Sequence, residues 1–119
     1  MDIRKLSILC AVLLLNQIEL AVSEEITREE AAQLMEECQK QREENIAPMR
    51  EQAIEDCVTN RRRDRDYCES FNRTFGNARR NANGTMTPGL FWDLPVCQKA
   101  DSANRFFRAN PGRQTYSSP

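Results

Sequence analysis

The 119-residue chain carries 17 basic and 18 acidic side chains but no histidine. That excludes Ser-His-Asp and Cys-His nucleophiles, a histidine general base and a Cys₂His₂ zinc site. Its four glycines are scattered at turns and form no phosphate-cradling loop, so the expectation is a protein that is not an enzyme and needs no cofactor or metal.

Residues 1–23 read as an export signal. Arg4 and Lys5 precede a run over residues 6–15, LSILCAVLLL, that is apolar apart from Ser7. Asn16 and Gln17 end the run, and Ala21-Val22-Ser23 offers small residues for cleavage. The run is too short to span a bilayer, although an uncleaved anchor is the alternative. Cleavage would start the mature protein near Glu24 and remove Cys10 with the signal, and no second apolar segment follows to span a membrane. Four of the five cysteines then remain, the count expected of two disulfides in an oxidising compartment, periplasmic or extracellular. The bridges are needed. Residues 24–119 hold three Leu, three Ile, two Val and five Phe, 13 of 96, which is low for a self-sufficient core.

Residues 24–110 read as one helical domain. Thr27 and Glu30 make a capping box, with Ile26 placed to staple onto Ala31. Ala31, Leu34, Met35, Cys38 and Ile46 then recur on one face, with Arg42 crossing the stripe. Pro48 is expected to end this helix and open a second one carrying Ala53, Ile54 and Cys57. The TNRRRDRD stretch, residues 59–66, contains no apolar residue. Either the helix continues through it, placing Cys57, Cys68, Phe71 and Phe75 on one face, or the chain turns there. Gly76 is a plausible stop, and residues 76–92 read as a long loop with turn signals at Asn83-Gly84 and Pro88-Gly89. A last helix is expected from Asp93 as cap, with Val96, Cys97, Ala100, Ala103 and Phe107 on one face; residues 111–119 read as a polar tail. The expected fold is all-α: a small disulfide-stapled helical hairpin, packed as a coiled coil, with one or two further helices docked on it.

The spacing C-x18-C-x10-C-x28-C has neither a C-x-x-C exchange motif nor the paired ligands of a Cys₄ zinc site. Cys38 and Cys57 lie symmetrically about Ala47-Pro48, so a hairpin would pair them and leave Cys68 for Cys97. The pairing Cys38–Cys97 with Cys57–Cys68 requires a turn in the RRRD stretch.

Residues 24–57 hold 11 acids against four bases, a net of −7; residues 58–119 hold 11 bases against five acids, a net of +6. The two halves either attract each other within one fold or present a basic face to a partner. Arg61, Arg62, Arg63, Arg65, Arg73, Arg79 and Arg80, interleaved with Tyr67, Phe71 and Phe75, are the candidate anion-binding residues, although Asp64, Asp66 and Glu69 blunt their field. Leu90-Phe91-Trp92 is either a partner anchor or a cover folded back on the helices. Asn72-Arg73-Thr74 and Asn83-Gly84-Thr85 are glycosylation sequons that matter in a eukaryotic secretory pathway. The functional reading is a small exported binding or accessory protein of the cell envelope or extracellular space, acting on a protein partner. The alternative is a polyanion-binding module for nucleic acid or anionic headgroups.

Overall fold

The computed structural model describes residues 23–118; the expected export signal, Cys10 included, lies almost wholly outside them. The chain runs β1 (Glu25–Thr27), α1 (Arg28–Thr59), α2 (Arg65–Phe71), β2 (Arg79–Arg80), β3 (Met86–Thr87), α3 (Pro95–Ala109) and β4 (Thr115–Ser117). It is mostly helical and disulfide-bonded, but two small antiparallel sheets, β1–β4 and β2–β3, keep it from being purely all-α.

Helix α1 starts where its cap predicts. The Thr27 hydroxyl accepts from the Glu30 amide at 3.1 Å, and the Glu30 carboxylate accepts from the Thr27 amide at 2.7 Å. It does not stop at Pro48. The helix is continuous for 32 residues, so the expected hairpin, and any coiled coil between its two arms, does not form. An interior proline removes one backbone hydrogen bond and costs roughly 3 kcal/mol. Here it falls on the exposed stretch 47–49, and buried residues on either side hold the helix in line: Ala31, Cys38, Arg42 and Ile46 before it, Ile54 and Cys57 after it. Ala31 and Cys38 pack toward the last helix, and Ile54 and Cys57 toward the short helix that follows. Packing on both flanks outweighs the local penalty.

The chain turns just beyond α1. Arg62 takes a left-handed φ of 52°, and the Asp64 carboxylate caps α2 by accepting from the Tyr67 amide at 2.9 Å. This turn decides the cysteine pairing. Cys57 faces Cys68, with Cα atoms 5.7 Å apart, and Cys38 joins Cys97 at 4.8 Å. The pairing expected from a hairpin is therefore corrected: on a straight helix Cys38 and Cys57 stand about 28 Å apart, far beyond disulfide reach.

Two small cores result. Near the start of α1, Ile26, Ala31, Ala103 and Phe107 are buried, with Leu34, Phe106 and Tyr116 packed against them. Near its end, Ile54, Cys57 and Cys68 are buried with Val58 alongside. Helix α3 presents Cys97, Ala100, Ala103 and Phe107 to α1, as its spacing predicts, but Leu94 rather than Asp93 is its cap residue, with Pro95 following. The supposed polar tail is also partly structured. β4 pairs with β1 in the register Ile26↔Tyr116, and Arg28 donates to the carbonyls of Asn110, Pro111 and Arg113 while its guanidinium lies 4.6 Å over the Phe107 ring.

Candidate anion-binding groove

The turn between α1 and α2 holds Arg61, Arg62 and Arg63, three of the seven candidate arginines, and the Cys57–Cys68 bridge folds it back against the end of α1. The outcome is a groove of about 510 Å³ lined by Arg61, Arg63 and Arg79 together with Tyr67, Phe71 and Phe75. Asp56, Cys57, Ala53 and Asn72 complete its wall. Arg79 reaches it from β2, the first strand of the small hairpin within the expected loop over residues 76–92.

The seven predicted arginines do not act together. Arg65 is spent on α1: it is hydrogen-bonded to Glu55, with Glu51 and Glu69 each at 3.7 Å, and the bond to Glu55 holds its guanidinium above the usual arginine range. Arg61 has only a loose contact with Asp56, at 3.8 Å. Arg63 lies 5.0 Å over the Tyr67 ring. Arg62 is exposed at the tip of the turn, and Arg73 is exposed with its guanidinium 3.4 Å from the Ser70 hydroxyl. Arg80 follows Arg79 on β2, and successive strand side chains point to opposite faces. The set that converges is Arg61, Arg63 and Arg79, three positive charges against the single carboxylate of Asp56.

The aromatic side chains beside them are open. Tyr67 is 44% exposed and Phe71 66%, and their rings stack at 6.0 Å with 16° between planes. A second groove of about 410 Å³ shares Phe71, Phe75 and Arg79 with the first and continues over Thr87, Pro88 and Leu90. Phe71 therefore stands on the ridge between an arginine-rich trough and a more apolar one.

No protein-family model, curated protein or solved structure matches this chain.

Leu90-Phe91-Trp92 is held against α1. Arg42 donates through Nε to the Leu90 carbonyl at 2.8 Å, and its guanidinium stacks 4.3 Å from the Trp92 ring. Its other nitrogens reach the Gly76 carbonyl at 3.3 Å and Gln39 Oε1 at 2.8 Å. Burial without a hydrogen-bonded carboxylate lowers its pKa from the ordinary arginine value, with nearby Glu43 opposing the shift. Phe91 sits at a φ of 61°, and Gly89 is so close that a Cβ there would lie 2.8 Å from Trp92 Nε1. The geometry is that of a cover pinned by Arg42. A lone arginine crossing an apolar stripe was the signal for it in the sequence.

The two sequons are not equivalent. Asn72 is buried and its Nδ2 donates to the Cys68 carbonyl at 2.9 Å, whereas Asn83 is exposed at the hairpin tip, its Oδ1 accepting from the Thr85 hydroxyl at 2.6 Å. Among the described residues no group of three or more Cys, Asp or Glu side chains is placed to hold a metal, and no helix is long and apolar enough to cross a membrane.

Proposed function

We propose that this is an exported, non-enzymatic binding protein of the cell envelope or extracellular space, and that it takes anionic ligands in the Arg61–Arg63–Arg79 groove. The observation that carries this reading is the Cys57–Cys68 bridge, which turns a sequence-local arginine run into one concave surface and brings Arg79 to it from a separate strand. Two disulfides are compatible with an oxidising compartment and support export. Most long charged side chains on a helical surface pair locally or stay solvated, as Arg65 does; Arg61, Arg63 and Arg79 have no hydrogen-bonded carboxylate among the described residues.

Salt-dependent retention on immobilised heparin tests the reading. Several simultaneous anion contacts produce a steep salt dependence, so the protein should elute well above about 0.1 M salt. The double variant Arg61→Ala/Arg79→Ala should elute earlier, while Arg65→Ala, which removes a spent charge, should shift elution much less. Elution of the unaltered protein at or below about 0.1 M salt would overturn the proposal.

A further inference from the structure

We infer that the ligand of this groove is single-stranded nucleic acid, with phosphates on Arg61, Arg63 and Arg79 and a base stacked at Phe71. The inference rests on the anion-binding reading above and adds what the arginines alone do not specify. Its starting point is the row Arg63, Tyr67, Phe71 and Phe75, spaced four residues apart. The guanidinium of Arg63 lies over Tyr67, Tyr67 stacks on Phe71, and Phe71 leaves two-thirds of its surface in water. Arg63, Tyr67 and Phe71 make a ladder of flat groups whose end at Phe71 is largely uncovered, with Phe75 beside it in the groove wall.

A phenylalanine this exposed adds little to folding, because the hydrophobic gain comes from area removed from water and only about a third of its surface is covered. It becomes favourable when a flat, weakly hydrated group covers it. Bases of a single strand supply that surface: stacking is worth roughly 1–3 kcal/mol per base and tolerates any sequence. In a duplex the base faces are already covered by their neighbours, and a sulfated polysaccharide has none to offer. Arg61 and Arg79 reach the same trough from different elements, as needed to follow a backbone whose charges repeat beside the bases. Arginine rather than lysine suits this work, since its planar fork meets phosphate in two bonds and also stacks.

An acidic protein segment is the competing occupant. It would satisfy the arginines but would leave Phe71 uncovered unless an aromatic residue happened to follow each acid. Asp56, in the groove wall, repels either ligand equally and does not discriminate between them.

The test uses the disulfide-bonded protein recovered from an exporting host, with binding of a fluorescein-labelled ten-nucleotide oligothymidylate followed by anisotropy at low salt. A duplex of the same length, an aspartate- and glutamate-rich peptide and heparin are the comparison ligands. The informative variant is Phe71→Leu, which keeps every charge and changes an exposed side chain, so the fold should persist; circular dichroism and disulfide mapping check that. The expected result is tighter binding of the single strand than of the duplex or the peptide. Phe71→Leu should weaken single-strand binding by about tenfold, the lower part of the stacking range, and leave heparin retention unchanged. Equal binding of strand, duplex and peptide, or an unchanged strand affinity in Phe71→Leu, would overturn the inference while leaving anion binding intact. Binding to neither heparin nor the strand would overturn both.

Discussion

The two ends of α1 are held in different ways. At its start, β1, β4 and α3 bring buried Ile26, Ala103 and Phe107 and half-buried Phe106 and Tyr116 against its own Ala31 and Leu34, and Cys38–Cys97 adds a covalent bond to surfaces already packed. At its end, α2 brings almost nothing apolar beyond Cys68 itself, against Ile54, Cys57 and Val58. There the disulfide replaces a core. The comparison teaches that a bridge inside a packed region adds to global stability, whereas a bridge in an unpacked region decides whether local structure exists at all. The candidate groove belongs to the second kind.

The sharpest way to break that contrast is to remove the bridges separately. Serine at both Cys38 and Cys97 opens a closure of 59 residues and should lower global stability by about 4 kcal/mol on the loop-entropy scale, with groove and heparin retention kept at temperatures where the protein stays folded. Serine at both Cys57 and Cys68 opens only 11 residues and should cost about 3 kcal/mol. Its signature is local: amide exchange should become fast over residues 60–75 while α3 stays protected, and heparin retention should collapse. Denaturant titration with exchange mass spectrometry checks both, and an equal spread of fast exchange in the two variants would erase the distinction.

A smaller effect concerns the helix that connects the two regions. Pro48→Ala should stabilise the protein by about 1–2 kcal/mol, because a missing backbone bond is restored at an exposed site, less the entropy that proline removes from the unfolded chain. A loss of stability would mean that the local geometry at Pro48 is required by one of the two ends. The smallest effect is electrostatic. Arg50 donates to both carboxylate oxygens of Glu43, at 2.6 and 3.0 Å, and this bond holds the Glu43 pKa below its ordinary value of 4.5. A carboxyl depressed in the folded state contributes stability that is present above 4.5 and fades as the pH falls through the lower folded value. The pair is exposed, so Glu43→Gln should flatten the acid limb of the stability–pH curve only slightly.

Elements set by local chemistry were legible in the sequence: the Thr27–Glu30 capping box and the face of α3 from Cys97 to Phe107. Gly76 does not stop a helix as expected, since α2 ends at Phe71 with Asn72 as its cap; Gly76 instead serves a turn, where its φ of 86° and the nearness of Ile46 leave no room for a Cβ. Elements set by distant partners were not legible. Pro48 carries a strong local signal to end a helix, and only the burial of residues on both flanks overrides it. β1 and β4 are three residues each, mostly polar, and meet across some ninety residues, so no alternation in either announces a strand. For the groove, the arginines and aromatics were visible as residues, and the turn that unites them was one of two open readings. Which arginines remained free was not visible, because Arg65 meets Glu51 and Glu55 only when α2 folds back on α1.

The Cys38–Cys97 bond also has a mechanical meaning. Tension applied to the two ends of the described chain first loads the β1–β4 hydrogen bonds and the Arg28 clamp, which lie side by side at those ends. Once these part, the force passes from residue 38 directly through sulfur to residue 97. Residues 39–96 then form a covalently closed bypass that bears no load, and every side chain lining the groove lies within it. Tethered at either end, or stretched between two attachments, the molecule would unravel at its margins while its basic trough kept its shape.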